Sequence, residues 1–153
     1  MLSYTSEIII NKPIATCFST IVNLDSMKHW QDGLISIEHV SGTPREIGSI
    51  MILNYQFGNR KMKLTESVTH RENNTAIHFN FDTKMMHNVQ KNSFEAIDET
   101  TTKWTSKNQF FSRCCSSRIM LFLIPKAFKK QTQKYLTNFK NYVENGTSIA
   151  NQK

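Results

Sequence analysis

The sequence has few cysteines, glycines and prolines, and each shortage excludes a class of protein. Its 153 residues include three cysteines, five glycines and three prolines. Cys17, Cys114 and Cys115 form no C-x-x-C pair, so we expect free thiols rather than a disulfide framework or a thiolate zinc site. The few glycines form no phosphate-binding loop or dinucleotide fingerprint, which disfavours nucleotide chemistry.

The sequence also lacks a long apolar run and a targeting segment. The longest apolar run, residues 119–124, ends at Pro125, whereas a helix needs about 20 apolar residues to cross a bilayer. The chain begins without the basic and apolar regions of a signal peptide. We therefore predict a cytoplasmic protein.

Metal and triad patterns are missing too. The five histidines, at positions 29, 39, 70, 78 and 87, do not have the spacing of metal ligands. None belongs to a recognisable arrangement with a Ser or Cys nucleophile. We expect no metal site, no cofactor and no nucleophilic hydrolase.

Positive charge is concentrated at the C-terminal end of the chain. The formal net charge is +7, yet residues 1–113 hold 12 of the 19 basic residues and 11 of the 12 acidic ones. Residues 114–153 hold the other seven basic residues and only Glu144 on the acidic side. No nucleic-acid motif accompanies this charge, so we expect no nucleic-acid partner.

The length predicts a single domain over residues 1–153. We expect an ordered core of about residues 2–145 and a flexible tail at 146–153. A first strand through residues 8–10 is followed by apolar residues at helical spacing after Pro13, which predicts a short helix. Residues 24–30 predict a second short helix, and residues 34–40 a strand.

Two hairpins predict an antiparallel meander with one apolar face. Gly58-Asn59 and Asn73-Asn74 have the composition of turns. The first turn pairs Tyr55 with Met62, Leu53 with Leu64 and Met51 with Glu66. The second pairs His70 with Ile77, Val68 with Phe79 and Glu66 with Phe81. Both registers place the apolar residues on the same face, with His70 near the end of this inner face and His78 facing solvent.

Two more strands, about residues 85–97 and 101–112, have an undecided inner face. The inner face carries either Asn88, Gln90, Asn92 and Phe94 or the alternate set His87, Val89 and Lys91. After residue 117 the pattern becomes helical, and Pro125 begins or kinks the main helix. This helix ends at Asn145-Gly146 and presents one face through Phe128, Thr132, Tyr135, Phe139 and Val143.

Five stretches of the sequence carry a resemblance to a known family: EIIINKPIATCFSTIVNLDSMKHWQDGLISIE, SGTPREIGSIMIL, LTESV, KNSFEAIDETTTKW and PKAFKKQTQKYLTNFKNYVE. Through them the chain resembles the START-like or SRPBCC superfamily, in particular bacterial proteins of the polyketide cyclase/dehydrase-like kind. It implies an α+β helix-grip fold, in which a curved antiparallel sheet of about seven strands wraps around a long C-terminal helix. It also implies an apolar cavity between the sheet and that helix, but it brings no catalytic motif.

Glu66 is the candidate catalytic residue. The predicted register puts its carboxyl on an apolar face, where an unpaired charge is costly. It is then either a general acid or base with a raised pKa, or a structural carboxylate bonded to a backbone or Arg donor.

A set of side chains on the predicted inner faces could bind a ligand, the polar ones by orienting it. We predict these ligand-binding residues: Tyr55, Met62, Leu64, Phe79, Phe81, Asn92, Trp104, Asn108, Phe128 and Tyr135.

The segment 113–130 joins an apolar run to basic residues. It allows a transient membrane-surface contact, but we favour the alternative that residues 119–124 pack on the sheet and close the cavity. We predict a monomer or homodimer that binds a hydrophobic small molecule such as a lipid, a quinone or a polyketide-like compound. The alternatives are a cyclase or dehydratase that uses Glu66, and an interaction module similar to chaperone activators.

Overall fold

Seven antiparallel strands form one curved sheet in a computed structural model that describes residues 1–152, with side chains up to residue 150. The strands lie in the order β1-β7-β6-β5-β4-β3-β2. They are β1 (Leu2–Ile10), β2 (Leu34–Ser41), β3 (Ile50–Phe57), β4 (Arg60–Glu72), β5 (Ala76–Asp82), β6 (Met86–Asp98) and β7 (Thr101–Ser112). Every strand after β2 pairs with the one before it, and β1 closes the order by pairing with β7.

Helices cover the concave face of this sheet. They are α1 (Ile14–Val22), a 3-10 helix (Leu24–His29), α2 (Cys115–Leu123), α3 (Pro125–Asn145) and a second 3-10 helix (Ile149–Gln152). The predicted α+β helix-grip architecture is confirmed, although residues 24–29 form a 3-10 helix rather than an α-helix. No helix in the described part of the chain is both long enough and apolar enough to span a membrane.

The two-residue turn at Gly58-Asn59 sets the β3–β4 register as predicted. Tyr55 lies opposite Met62, Leu53 opposite Leu64 and Met51 opposite Glu66. Because side chains alternate between faces along a strand, this register puts Glu66 on the concave, apolar face.

The β4–β5 register agrees with the prediction only up to Val68. Glu66 pairs with Phe81 and Val68 with Phe79, but a bulge before His70 then shifts the pairing. His70 therefore lies opposite His78 rather than Ile77, and it is exposed. The prediction that His70 belongs to the inner face is wrong because the bulge adds one residue to β4.

Helix α3 begins at Pro125 and ends at a residue that supports a left-handed turn. Gly146 has a φ of 69°, and its N–H donates to the carbonyl oxygen of Tyr142. Near the first turns of α3, the Tyr4 hydroxyl of β1 donates to the backbone carbonyl oxygen of Phe128 at 3.0 Å and contacts the Thr132 hydroxyl. These bonds fix α3 across the sheet.

Aromatic side chains fill one end of the space between the sheet and α3. The Trp104 ring of β7 lies 4.9 Å from that of Phe139 of α3, and Trp30 packs edge-on against both. Phe94 stacks on the other face of this group, 5.5 Å from Trp104. The solid core therefore lies towards the β6–β7 turn, and the other end of the space is left for the cavity described below.

The predicted tail is partly folded in the structure. The Ser148 hydroxyl lies 2.7 Å from Nδ1 of His29, and the second 3-10 helix packs beside the first. The prediction for Lys153 lies outside the described residues.

Candidate ligand-binding site

A cavity of about 400 Å³ lies between the concave face of the sheet and α3. All of the predicted ligand-binding residues and Glu66 lie on its wall. The structure therefore brings the predicted set together, and its role in binding stays a prediction. Other wall residues are Tyr4, Ile21, Trp30, Gln31, Arg45, Phe57, Thr83, Met86, Asn88, Gln90, Phe110, Gln131, Thr132 and Leu136.

The cavity reaches the surface near the β3–β4 turn. Phe57 and Met62, on either side of that turn, line the cavity and are more than one-third exposed. The Phe110 and Phe128 rings, 4.9 Å apart, join β7 to the first turns of α3 beside this opening. By contrast, Trp104 at the inner end is almost fully buried. We call the partly exposed end, with Phe57 and Met62 on its rim, the mouth.

Glu66 forms a buried ion pair with Arg45. Arg45 comes from the loop between β2 and β3, and its guanidinium nitrogen lies 2.5 Å from a Glu66 carboxyl oxygen. Glu66 is 3% exposed and Arg45 is 4% exposed. The guanidinium also lies over the Phe79 ring, 5.1 Å from its centre, which adds a cation–π contact.

Burial raises the pKa of the Glu66 carboxyl, while the neighbouring Arg45 charge and its hydrogen bond oppose the rise. This geometry matches the structural alternative that the sequence left open, a carboxylate bonded to an Arg donor. Since Glu66 and Arg45 are the only charged residues on the described wall, the wall carries no net charge when both are ionised.

A ladder of polar side chains crosses the cavity floor on β6 and β7. The structure resolves the inner face of β6 in favour of Asn88, Gln90 and Asn92, each of which lines the cavity. The Asn88 side-chain amide donates to the side-chain oxygen of Asn108 at 3.3 Å. Asn108 and Gln90 in turn donate to the Ser106 hydroxyl. The ladder therefore satisfies most of its own polar atoms.

Besides Nε of the paired Arg45, two fully buried polar atoms of wall residues have no hydrogen-bond partner among the described residues. They are Oδ1 of Asn88 on the sheet and Nε2 of Gln131 on α3. With the Asn108 amide donating to the Ser106 hydroxyl, a flipped Asn88 amide would bring its oxygen against the oxygen of Asn108. The wall residues thus hold one unpaired acceptor on the sheet and one unpaired donor on the helix, both shielded from solvent.

Tyrosine hydroxyls on the wall are already engaged. Tyr55 donates to a side-chain oxygen of Gln31, and Tyr135 donates to the backbone oxygen of Asp32. Burial raises the pKa of Tyr55 well above its usual value and that of Tyr135 to about 12. Both side chains are therefore neutral at physiological pH, and they act as amphipathic wall rather than as bases.

Sequence reasoning missed Arg45 and Gln131. Arg45 lies in an irregular loop with a positive φ of 65°, where no periodicity points to the interior. Gln131 is three residues after Phe128 and four before Tyr135, so helical spacing could have placed it on the cavity face.

The segment 119–124 does not pack as predicted. Only Leu121 and part of Met120 turn inward, whereas Ile119, Phe122 and Leu123 are exposed, with Phe122 84% exposed. The buried side chains of helix α2 are Ser117 and Leu121, four residues apart, so a single face contacts the rest of the protein. The interpretation that this run closes the cavity is therefore wrong.

A curved antiparallel sheet that grips a long C-terminal helix over a cavity defines the START-like, helix-grip class of fold. No family model matches the chain, and no curated protein matches it. Solved structures do match over nearly the whole chain. A protein from Thermus thermophilus has 15% identity and a TM-score of 0.75, covering 95% of this chain and 99% of that one.

Two further matches show how widely this fold is used. The Zhui aromatase/cyclase from Streptomyces sp. R1128 has 10% identity and a TM-score of 0.73, covering 96% of this chain and 98% of its own. Ara h 8.0201 has 15% identity and a TM-score of 0.73, covering 92% and 96%. At such identities the likeness shows the fold alone. The chain therefore shares its fold with an aromatase/cyclase.

Proposed function

We propose that the chain binds a neutral, largely apolar small molecule that carries at least one hydrogen-bond donor and one acceptor. The observation that carries this proposal is the cavity of about 400 Å³ whose wall holds a buried acceptor and a buried donor that lack partners among the described residues. Its volume lies within the range of about 300–1,000 Å³ that is typical of small-molecule sites.

The charge of the wall supports a neutral ligand. An anionic ligand would meet Glu66 as well as Arg45, and these two charges are already paired. Bringing a further ion into this site would require desolvation without a free counter-charge, which is costly.

The free polar atoms narrow the class of ligand further. Asn88 Oδ1 accepts a hydrogen bond, so it matches a hydroxyl or phenol of the ligand. Gln131 Nε2 donates one, so it matches a carbonyl or ether oxygen. A polyketide-like compound with both groups would satisfy both atoms. A quinone has only acceptors, so it would leave Asn88 Oδ1 unpaired, which costs about 1–3 kcal/mol of binding free energy.

Native mass spectrometry of freshly purified protein tests this proposal directly. We expect a retained neutral adduct, which denaturing spray releases. The affinity for a neutral fluorescent probe, N-phenylnaphthylamine, should fall when Leu64→Trp fills the cavity. A protein that carries no adduct and binds no apolar probe would contradict the proposal.

Matched variants test the polar contacts once the adduct has been identified. Asn88→Leu and Gln131→Met should each weaken binding of the adduct by about fivefold to a hundredfold, as expected for a lost buried hydrogen bond of about 1–3 kcal/mol. Asn80→Leu is the control, because Asn80 lies between Phe79 and Phe81 on β5 and so points to the opposite face of the sheet. Equal effects of Asn88→Leu and Asn80→Leu would show that the Asn88 amide does not contact the ligand.

An enzyme of the cyclase or dehydratase kind is the second candidate. The observation that favours it is the Glu66 carboxyl on the cavity wall, whose pKa burial raises towards the range of a general acid. Glu66→Gln keeps the shape and removes the titratable proton. Loss of turnover of the identified ligand with retained affinity would support the acid–base role of Glu66. Unchanged affinity and turnover would contradict that role.

A further inference from the structure

Strand register places three surface segments at the same end of the sheet. Thr65 pairs with Asp82, so the β3–β4 turn lies beyond the end of β5. Met86 pairs with Ser112, so the β5–β6 turn lies beside the start of α2. The Ser117 hydroxyl of α2 donates to the backbone oxygen of Met85 at 2.8 Å, which joins α2 to that turn. The mouth of the cavity is at this same end.

This end carries an apolar patch on the outer face of α2 and the residue that follows it. Phe122 is 84% exposed, Leu123 67%, Ile119 57% and Ile124 49%. Because the four residues lie within two helical turns, they form one continuous surface. An apolar surface of this kind on a folded chain marks an interaction site.

Basic side chains lie at the same end of the fold as the patch. Eight exposed Lys and Arg residues lie at the start of β4, in the β5–β6 turn, on α2 and on the first turns of α3: Arg60, Lys61, Lys63, Lys84, Arg118, Lys126, Lys129 and Lys130. None of them forms an ion pair with another side chain in the described part of the chain. The nearby acids, Asp82 and Asp32, are paired with Arg113 and Lys134.

We propose that the mouth end of the fold docks on the surface of an anionic lipid bilayer. Phe122 and its apolar neighbours would enter the interface, and the lysines and arginines at the same end would lie at the level of acidic headgroups. A second copy of the chain is the wrong occupant, because it would bring the same unpaired positive charges together. Docking in this orientation would place the cavity mouth next to the bilayer, and the contact does not depend on what the cavity binds.

Flotation with lipid vesicles tests the proposal. We expect the protein to float with vesicles of phosphatidylcholine and phosphatidylserine, to stay in solution with phosphatidylcholine alone, and to detach in high salt. Phe122→Glu should reduce binding at least tenfold. Ile97→Glu is the matched control, since Ile97 is 53% exposed but lies next to the β6–β7 turn at the other end of the sheet.

The basic residues are tested in the same assay. Lys126→Gln/Lys130→Gln should weaken binding by about tenfold or more, because each lysine near an anionic surface contributes about 1 kcal/mol. The control Lys91→Gln/Lys107→Gln removes two lysines that face each other in the middle of the β6–β7 pair, and it should bind like the wild type.

Several results would overturn the proposal. These are no flotation with anionic vesicles, equal loss in the Phe122 and Ile97 variants, or a dimer in sedimentation analysis that Phe122→Glu abolishes. Circular dichroism of every variant keeps these outcomes separate from misfolding. Failure here leaves ligand binding in the cavity intact, because adduct retention is measured without lipid vesicles.

Discussion

Replacing Arg45 with methionine should lower the free energy of unfolding by about 3–5 kcal/mol at neutral pH, the cost of leaving a buried charge without its partner. The guanidinium lies 2.5 Å from the Glu66 carboxyl, and the two side chains are 5% and 3% exposed. Methionine retains a flexible apolar chain over Phe79 but removes the charge. Lys134→Met is the matched control: its pair with Asp32 is largely exposed, and such pairs contribute at most about 1 kcal/mol.

The loss should also depend on pH in a defined direction. Burial raises the pKa of Glu66, and in Arg45→Met no positive charge opposes this effect. The folded variant then takes up its proton at higher pH than the unfolded chain does. The destabilisation is therefore complete above the raised folded-state pKa and disappears as the pH falls towards the unfolded value of about 4.3.

Urea unfolding followed by circular dichroism measures both effects, at neutral pH and at about pH 5. The double variant Arg45→Met/Glu66→Met should recover most of the stability, since it replaces a buried ion pair with apolar side chains. A loss below about 1 kcal/mol in Arg45→Met, or a double variant no more stable than the single one, would refute a buried and coupled ion pair.

Three further predictions concern the rim, the cavity and the exposed thiol. Gly33→Ala should destabilise the fold by about 1 kcal/mol more than Gly48→Ala in thermal unfolding, because the Phe57 ring has to shift. Both glycines have a positive φ, but a Cβ at Gly33 would lie 2.6 Å from the Phe57 ring, whereas at Gly48 it would meet open space. Leu64→Trp should retain the melting temperature to within a few degrees while probe binding is lost; a large drop in melting temperature would mean that the site is packed rather than open. Hydrogen bonds from two nearby serines lower the pKa of Cys114 to about 7. The alkylation rate of this thiol, followed by mass spectrometry, should therefore be half-maximal near that pH. A midpoint near the ordinary pKa of a thiol would contradict the prediction.

The hairpins were predictable from sequence because local signals determine them. A two-residue turn at Gly58-Asn59 leaves one register that places the apolar residues on one face, and this register is observed. The bulge before His70 was not predictable in this way, because the polar residues around it satisfy either face. The register of β6 stayed open for the same reason: Asn88 and Gln90 are polar, as are His87 and Lys91 on the alternate face.

The candidate site was predictable only where a strand pattern reached it. The β3–β4 and β4–β5 pairings placed Glu66 on the apolar face and implied that it needs a partner. That partner, Arg45, is 21 residues away in sequence and comes from a loop without periodicity. Loop conformation depends on tertiary contacts, such as the hydrogen bond from Arg71 to the Arg45 backbone oxygen, which no local pattern encodes.

The pairing of β1 with β7 also sets the order in which the protein can fold. Leu2 lies opposite Phe110, so during synthesis β1 has no partner until more than one hundred residues have followed it. Contacts of such long range form slowly. Until α3 is synthesised, the apolar concave face of the nascent sheet has no cover, so a ligand or a chaperone could reach it before the cavity exists. The addition of α3 is therefore the step that forms the cavity.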